Sequence, residues 1–205
     1  MKKSAKGVVP KNAIDIVKKI LEENPNIACL DFGIYRPELR HFNERKKKGE
    51  RRSPFEATEH SKSKQYFRLP RKDILVGTIE KKIAKLFPGE ALQVLSKVYV
   101  EDAMHIPMLD LEIPARKENL LFAVESIKAL GQKKGAILVS GASYHYWGFE
   151  LLYLDEWQTF MHKSLLLDDV VDRRWVGHRL LDGFSNLRLS EKGNYGFLPY
   201  VIEML

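Results

Sequence analysis

The chain reads as an α+β fold, and three observations predict it. Segments of helical periodicity (11–24, 74–86 and 115–131) are interspersed with short apolar runs of strand type (27–35, 105–113, 135–141 and 143–152). Pro or Gly marks many of the junctions between them. The 205 residues are 44% hydrophobic, enough to fill one core. A single domain over 1–205 is expected, with an N-terminal α/β portion over 1–100 and a second portion over 101–205.

Taken in order, residues 11–24 form an amphipathic helix, with Ala13, Ile14, Ile16, Val17, Ile20 and Leu21 on one face. Asn24-Pro25-Asn26 stops it, and IACLDFGIY (27–35) is a strand. From 36 to 72 the composition turns basic and polar. This is a solvated loop, or else a basic arm for a nucleic-acid backbone. Tyr66, Phe67, Arg68, Arg71 and Lys72 close it, aromatics interleaved with cations that can stack bases and pair phosphates, or simply the first packed residues after a loop. A helix over 74–86 ends at Pro88-Gly89, and GEALQVLSKVYVEDAM fits helix or strand equally. HIPMLDLEI (105–113) is a strand. Pro114 then opens a helix over 115–131 whose stripe is Leu120, Ala123, Val124, Ile127 and Leu130. Strands at 135–141 and 143–152 join through Gly141-Ala142, helices follow near 155–166 and 172–181, and strands near 185–190 and 197–203 finish the chain. The strand-helix-strand-strand order over 105–152 is the start of an RRM-like (ferredoxin-like) sheet, in which the first and third strands become neighbours. Asp110 and Glu112 would then lie beside His145.

Composition narrows the function classes. The net charge of +7 and a pI near 9.3 suit a polyanionic partner. Cys29 is the single cysteine, so an internal disulfide and a cysteine-rich zinc module are excluded. The N-terminus lacks the apolar run of a secretory signal, and no stretch approaches a membrane span. A cytoplasmic protein without a membrane partner is the expectation.

Three polar islands interrupt the apolar second half. In MLDLEI, Asp110 and Glu112 alternate with Leu111 and so share a strand face. Two carboxylates this close repel unless a cation lies between them, and Mg2+ or Mn2+ suits an all-oxygen site. The bland alternative is an acidic solvent face. In SYHYWG, Ser143 and His145 share a face where hydroxyl, imidazole and turn amides can meet phosphate oxygens. Equally, His145 is a half-buried member of an aromatic cluster. In VVD, Asp172 is a functional acid or a helix N-cap, with Asp169 as a competing acid. Downstream, Asn186, Arg188 and Ser190 alternate along a strand that ends near Lys192. That face suits a triphosphate or a nucleic-acid backbone, or is an edge strand blunted by charge.

In this order the islands resemble the motifs of the archaeo-eukaryotic primase superfamily, and most closely its primase-polymerase branch. MLDLEI looks like the hhDhE motif and SYH like SxH. VVD followed by NLRLSEKG looks like hhD with its Arg-Leu segment and basic turn. The resemblance covers roughly 105–192. It implies that Asp110, Glu112 and Asp172 are catalytic, metal-binding carboxylates. It implies that His145, with Ser143, contacts the incoming nucleotide's phosphates, and that Arg188, Ser190 and Lys192 contact nucleotide or template. Asn186, Arg68, Arg71 and Lys72 are further nucleic-acid-binding candidates. The implied cofactor is Mg2+ or Mn2+, as two ions about 3.5–4 Å apart. The implied partners are nucleoside triphosphates and a DNA or RNA template, and no helicase or other replication partner is named by the residues. The implied reaction is attack of a 3′-hydroxyl on the α-phosphorus with release of pyrophosphate, catalysed by positioning and charge stabilisation. Two other classes share this inventory: a non-catalytic nucleic-acid-binding module on the same sheet, and a metal-dependent nuclease.

Overall fold

The computed structural model describes residues 10–37, 65–100, 102–167, 169–192 and 196–205. Most of the basic segment, including 38–64, lies outside them. Asn12 opens the first helix, α1 (Ala13–Glu23), by accepting the backbone N–H groups of Ile14 (2.9 Å) and Asp15 (3.1 Å). The apolar face of α1 is buried as its spacing predicts. Its end is pinned by Asn24, whose side-chain amide donates to the carbonyls of Ile20 (2.9 Å) and Phe149 (2.8 Å).

The strands that follow are β1 (Cys29–Tyr35) and β2 (Gln65–Pro70), paired antiparallel. The single helix expected over 74–86 is two short ones, α2 (Arg71–Leu75) and α3 (Thr78–Ile83). Gly77 separates them at φ 89°, a left-handed turn that costs glycine little. The ambiguous stretch resolves as strand β3 (Ala91–Tyr99), whose β-branched and leucine residues are buried.

HIPMLDLEI is not one strand. β4 (Ala103–His105) pairs with β3, and after Ile106-Pro107 the chain crosses to a second sheet as β5 (Met108–Pro114). Helix α4 (Lys117–Ala129) leads to β6 (Gly135–Val139) and β7 (Ser143–Gly148). The expected strand over 143–152 likewise divides. Leu152–Tyr153 (β8) joins β4 in the first sheet. Helices α5 (Leu154–Ser164) and α6 (Arg173–Asp182) precede β9 (Asn186–Arg188), and β10 (Tyr200–Met204) is the last element.

Among the described residues these strands make two antiparallel sheets. One is six-stranded, with order β2-β1-β3-β4-β8 and β9 also paired to β3. The other is four-stranded, with order β10-β6-β7-β5. The unit β5-α4-β6-β7 places β7 between β5 and β6, the split arrangement expected from the element order. Beyond β5 the RRM pattern is not continued by β9, which pairs β3 instead. One apolar cluster runs through both sheets, and Trp147, Trp157 and Trp175 are wholly buried in it. No described helix is long and apolar enough to cross a membrane.

Candidate active site

Strand β5 carries the two acids as alternation requires. Leu109, Leu111 and Ile113 are buried, while Asp110 is half-buried and Glu112 exposed. Its two long edges then decide what meets Asp110. On one edge β7 pairs so that His145 stands directly across from Asp110. The register slips between Leu111 and Pro114, leaving Glu112 at an irregularity in the ladder. On the other edge the chain at Val171 forms an antiparallel bridge to Leu111. The Glu112 N–H donates to the Val170 carbonyl (2.7 Å), and the Asp172 N–H donates to the Asp110 carbonyl (3.1 Å). That register sets Asp172 across from Asp110. A transverse row Asp172, Asp110, His145 results, drawn from three remote segments.

His145 is almost fully buried, with Nε2 3.7 Å from Asp110 Oδ1. This is too long for a hydrogen bond. Burial first, and then the positive charges of Arg188 and Lys192, hold the imidazole well below the usual histidine range. His145 is therefore neutral at physiological pH, and its contact with Asp110 is not an ion pair. A buried neutral imidazole offers both a donor and an acceptor.

Arg188 supplies the cationic side. It is buried on β9 across from Gln93 of β3, and its guanidinium donates to the carbonyls of Ser190 and Ser140. Ser140 and Ser143 flank the Gly141-Ala142 turn, with the Ser140 N–H donating to the Ser143 carbonyl (3.0 Å). Arg188 thus ties this turn to the segment beyond β9, where half-buried Lys192 lies.

The acids crowd one another. Partial burial, followed by the charges of Asp172 and Asp169, raises the Glu112 carboxyl above the usual range. Both candidate acids of the third island are thus close enough to act on Glu112. Asp172 also serves as the helix cap, its Oδ1 accepting the Trp175 N–H at 2.8 Å. The set is oxygen-only and self-repelling, chemistry that a hard divalent cation relieves. Among the described residues, however, no three His, Cys, Asp or Glu side chains form a ready-made metal-holding group.

Not every candidate converges here. Asn186 and Ser190 are buried in structural bonds: Asn186 Oδ1 accepts from Arg179 (2.6 Å), and Ser190 Oγ accepts the Leu92 N–H (2.9 Å). The polar strand face they were expected to present is an interior row. Arg68 lies on β2 of the other sheet, Arg71 donates to the Asn24 carbonyl (3.1 Å), and Lys72 is exposed on α2.

One residue escaped the sequence reading. Arg179 is wholly buried, joined to Asn186 and, at 2.8 Å, to Asp182. Burial lowers its pKa, while Asp182, Tyr66 and Asp110 all lie within electrostatic reach and oppose that fall. Its signal was helical spacing, since Asp172, Val176 and Arg179 follow one face of α6.

A family model described as AEP-like, archaeo-eukaryotic primase 1D-like, matches residues 72–197, well over half of the chain and all of the row just described. No curated protein and no solved structure matches the chain.

Proposed function

The chain belongs to the archaeo-eukaryotic primase 1D-like family, and from that premise we propose that it is a metal-dependent nucleotidyltransferase that extends a 3′-hydroxyl on a nucleic-acid template and releases pyrophosphate. The family supports nucleotides and nucleic acid as substrates. The observation that carries the finer reading is the row of Asp172, Asp110 and His145, with the charges of Arg188 and Lys192 acting on the imidazole.

Each residue has a task in this reading. Asp110, Glu112 and Asp172 would hold Mg2+ or Mn2+, which when bound supplies activation of the attacking oxygen and neutralisation of the leaving phosphates. Asp110 is fixed on two sides by backbone pairing, so its carboxylate is positioned before substrate arrives. His145, neutral and buried, donates a hydrogen bond to a phosphate oxygen without an ion's desolvation cost. Arg188 and Lys192 place positive charge where the triphosphate accumulates negative charge. Ser143, at the start of β7, presents its hydroxyl on the same face as His145. Asn186 and Ser190 act indirectly, by fixing Arg179 and the segment that carries Lys192.

The test is incorporation of labelled nucleotide onto a primed template with Mg2+ or Mn2+. Wild type should extend. Asp110→Asn and Glu112→Gln should lose at least about 100-fold in rate while their urea midpoints stay near wild type. Full activity in either variant ends the proposal. Cleavage of the nucleic acid without added nucleotide would instead support a nuclease, and metal-independent binding with no turnover would support a non-catalytic module.

A further inference from the structure

On its side away from the apolar core, the six-stranded sheet opens into a groove along β1, β2 and the end of β3. On that open side, alternation along the strands aligns Tyr66 and Arg68 of β2, Asp31 of β1, and Lys97 and Tyr99 of β3. Two cavities of about 560 and 520 Å3 lie along it and share Asp31, Leu95 and Phe184 as walls. Both fall in the range that holds small organic groups.

One arrangement in this groove is unusually well specified. The Asp31 carboxylate accepts two bonds from Arg68, from Nε at 2.6 Å and from Nη2 at 2.8 Å. This bidentate grip orients the guanidinium plane. The guanidinium lies over the Tyr99 ring, Cζ 4.7 Å from its centroid, and the Lys97 ammonium stands 5.5 Å from the same centroid. The Arg68 side chain keeps 53% of its surface exposed. An exposed ion pair contributes little stability. A clamped, exposed guanidinium over an exposed aromatic ring is therefore poorly explained by folding alone.

We propose that this groove binds single-stranded nucleic acid, and that an unpaired base stacks on the outer side of the Arg68 guanidinium while Tyr99 backs its inner side. Arginine planes and aromatic rings stack any base, so contact is tolerant of sequence. Lys97, on the same face as Arg68 and Tyr99, supplies charge for the backbone beside the stacked base. The chain's net charge of +7 favours such a partner over a cationic or neutral one. Arg179 is within electrostatic reach of both Tyr66 and Asp110, which brings one end of the groove near the candidate active site. What the strand is used for rests on the nucleotidyl-transfer reading; the binding itself does not.

The experiment titrates the full chain into a fluorescein-labelled single-stranded oligonucleotide and follows anisotropy at several salt concentrations. Arg68→Lys keeps the charge and loses the plane, and is expected to weaken binding about tenfold. Tyr99→Leu should weaken it similarly, whereas Tyr99→Phe should bind like wild type. Urea midpoints near wild type for these exposed positions verify folding. Wild-type affinity in both Arg68→Lys and Tyr99→Leu overturns the proposal, as does equal affinity for a duplex of the same sequence. Capture of an unstructured basic or acidic peptide in place of the oligonucleotide also overturns it. Failure here with template extension intact leaves the enzyme reading standing. Loss of binding in Arg68→Lys, in a wild type that extends nothing, removes the enzyme reading and keeps this one.

Discussion

Two buried imidazoles should make this fold labile in mild acid. His105 is 1% exposed, stacked on Trp157 with ring centroids 4.5 Å apart, and its Nδ1 lies 3.3 Å from Ser96 Oγ. Burial, and then the charge of Lys97, lower its pKa from 6.5 to about 4. Above pH 6.5 the ring is neutral in both folded and unfolded chains, and its contribution to stability is intact. As pH falls below 6.5 the unfolded chain takes up a proton that the folded chain refuses until about pH 4. Stability is therefore lost across that window and levels off below it. The full loss is roughly 3 kcal/mol, and at pH 5 about 2 kcal/mol. Because the ring also borders a water-accessible cavity, screening reduces this toward about 1–2 kcal/mol. His145 adds a loss of the same sign, since its pKa is also depressed. The assay is urea unfolding followed by tryptophan fluorescence at pH 7.5, 6 and 5, for wild type and for His105→Gln. The variant starts less stable at pH 7.5, having lost the Trp157 stack, but should fall less steeply with acid. Parallel pH profiles for the two proteins would mean that His105 is not the group whose protonation destabilises the fold.

Other outcomes follow from the same geometry. Arg188→Met strips buried hydrogen bonds from the Ser140 and Ser190 carbonyls, so it should cost about 2–4 kcal/mol in urea unfolding. It should also raise the His145 pKa, read by imidazole NMR, because one of the charges opposing protonation is gone. An unmoved His145 titration would contradict the proximity of the two groups. Gly135→Ala puts a Cβ 2.5 Å from the Trp147 carbonyl oxygen and 2.6 Å from the Tyr146 ring, at the pairing of β6 with β7. It should destabilise by about 1–3 kcal/mol, and a melting temperature equal to wild type would show that the strands separate more easily than their packing implies.

Much of the fold could be read locally. The stripe of α1 and its Asn12 cap, the acids alternating with Leu111, and the Gly141-Ala142 turn are all consequences of short-range geometry. The misreadings arise where a local pattern admits two outcomes. Whether 105–113 is one strand or two depends on which sheet each half joins, and only β3 and β7, both distant in sequence, decide that. The split of the 74–86 helix was visible in Gly77 but undecided, since glycine is tolerated within helices at a cost of about 1 kcal/mol. Asn186 and Ser190 look like an outward polar face because alternation says which residues share a side. It does not say whether that side meets water or protein.

The inventory and local facing of the site are legible in the order of residues alone: two acids on one strand face, a serine and histidine on another, an acid at a helix start, and cations after it. That Asp110 lies between Asp172 and His145, that Arg188 turns inward to hold the neighbouring turn, and that Asp31 clamps Arg68 over Tyr99 emerges only once remote strands have paired. Strand alternation is a property of each residue's own backbone, whereas cross-strand register is settled by the burial of hydrophobic faces across the whole chain, and no short window contains that information.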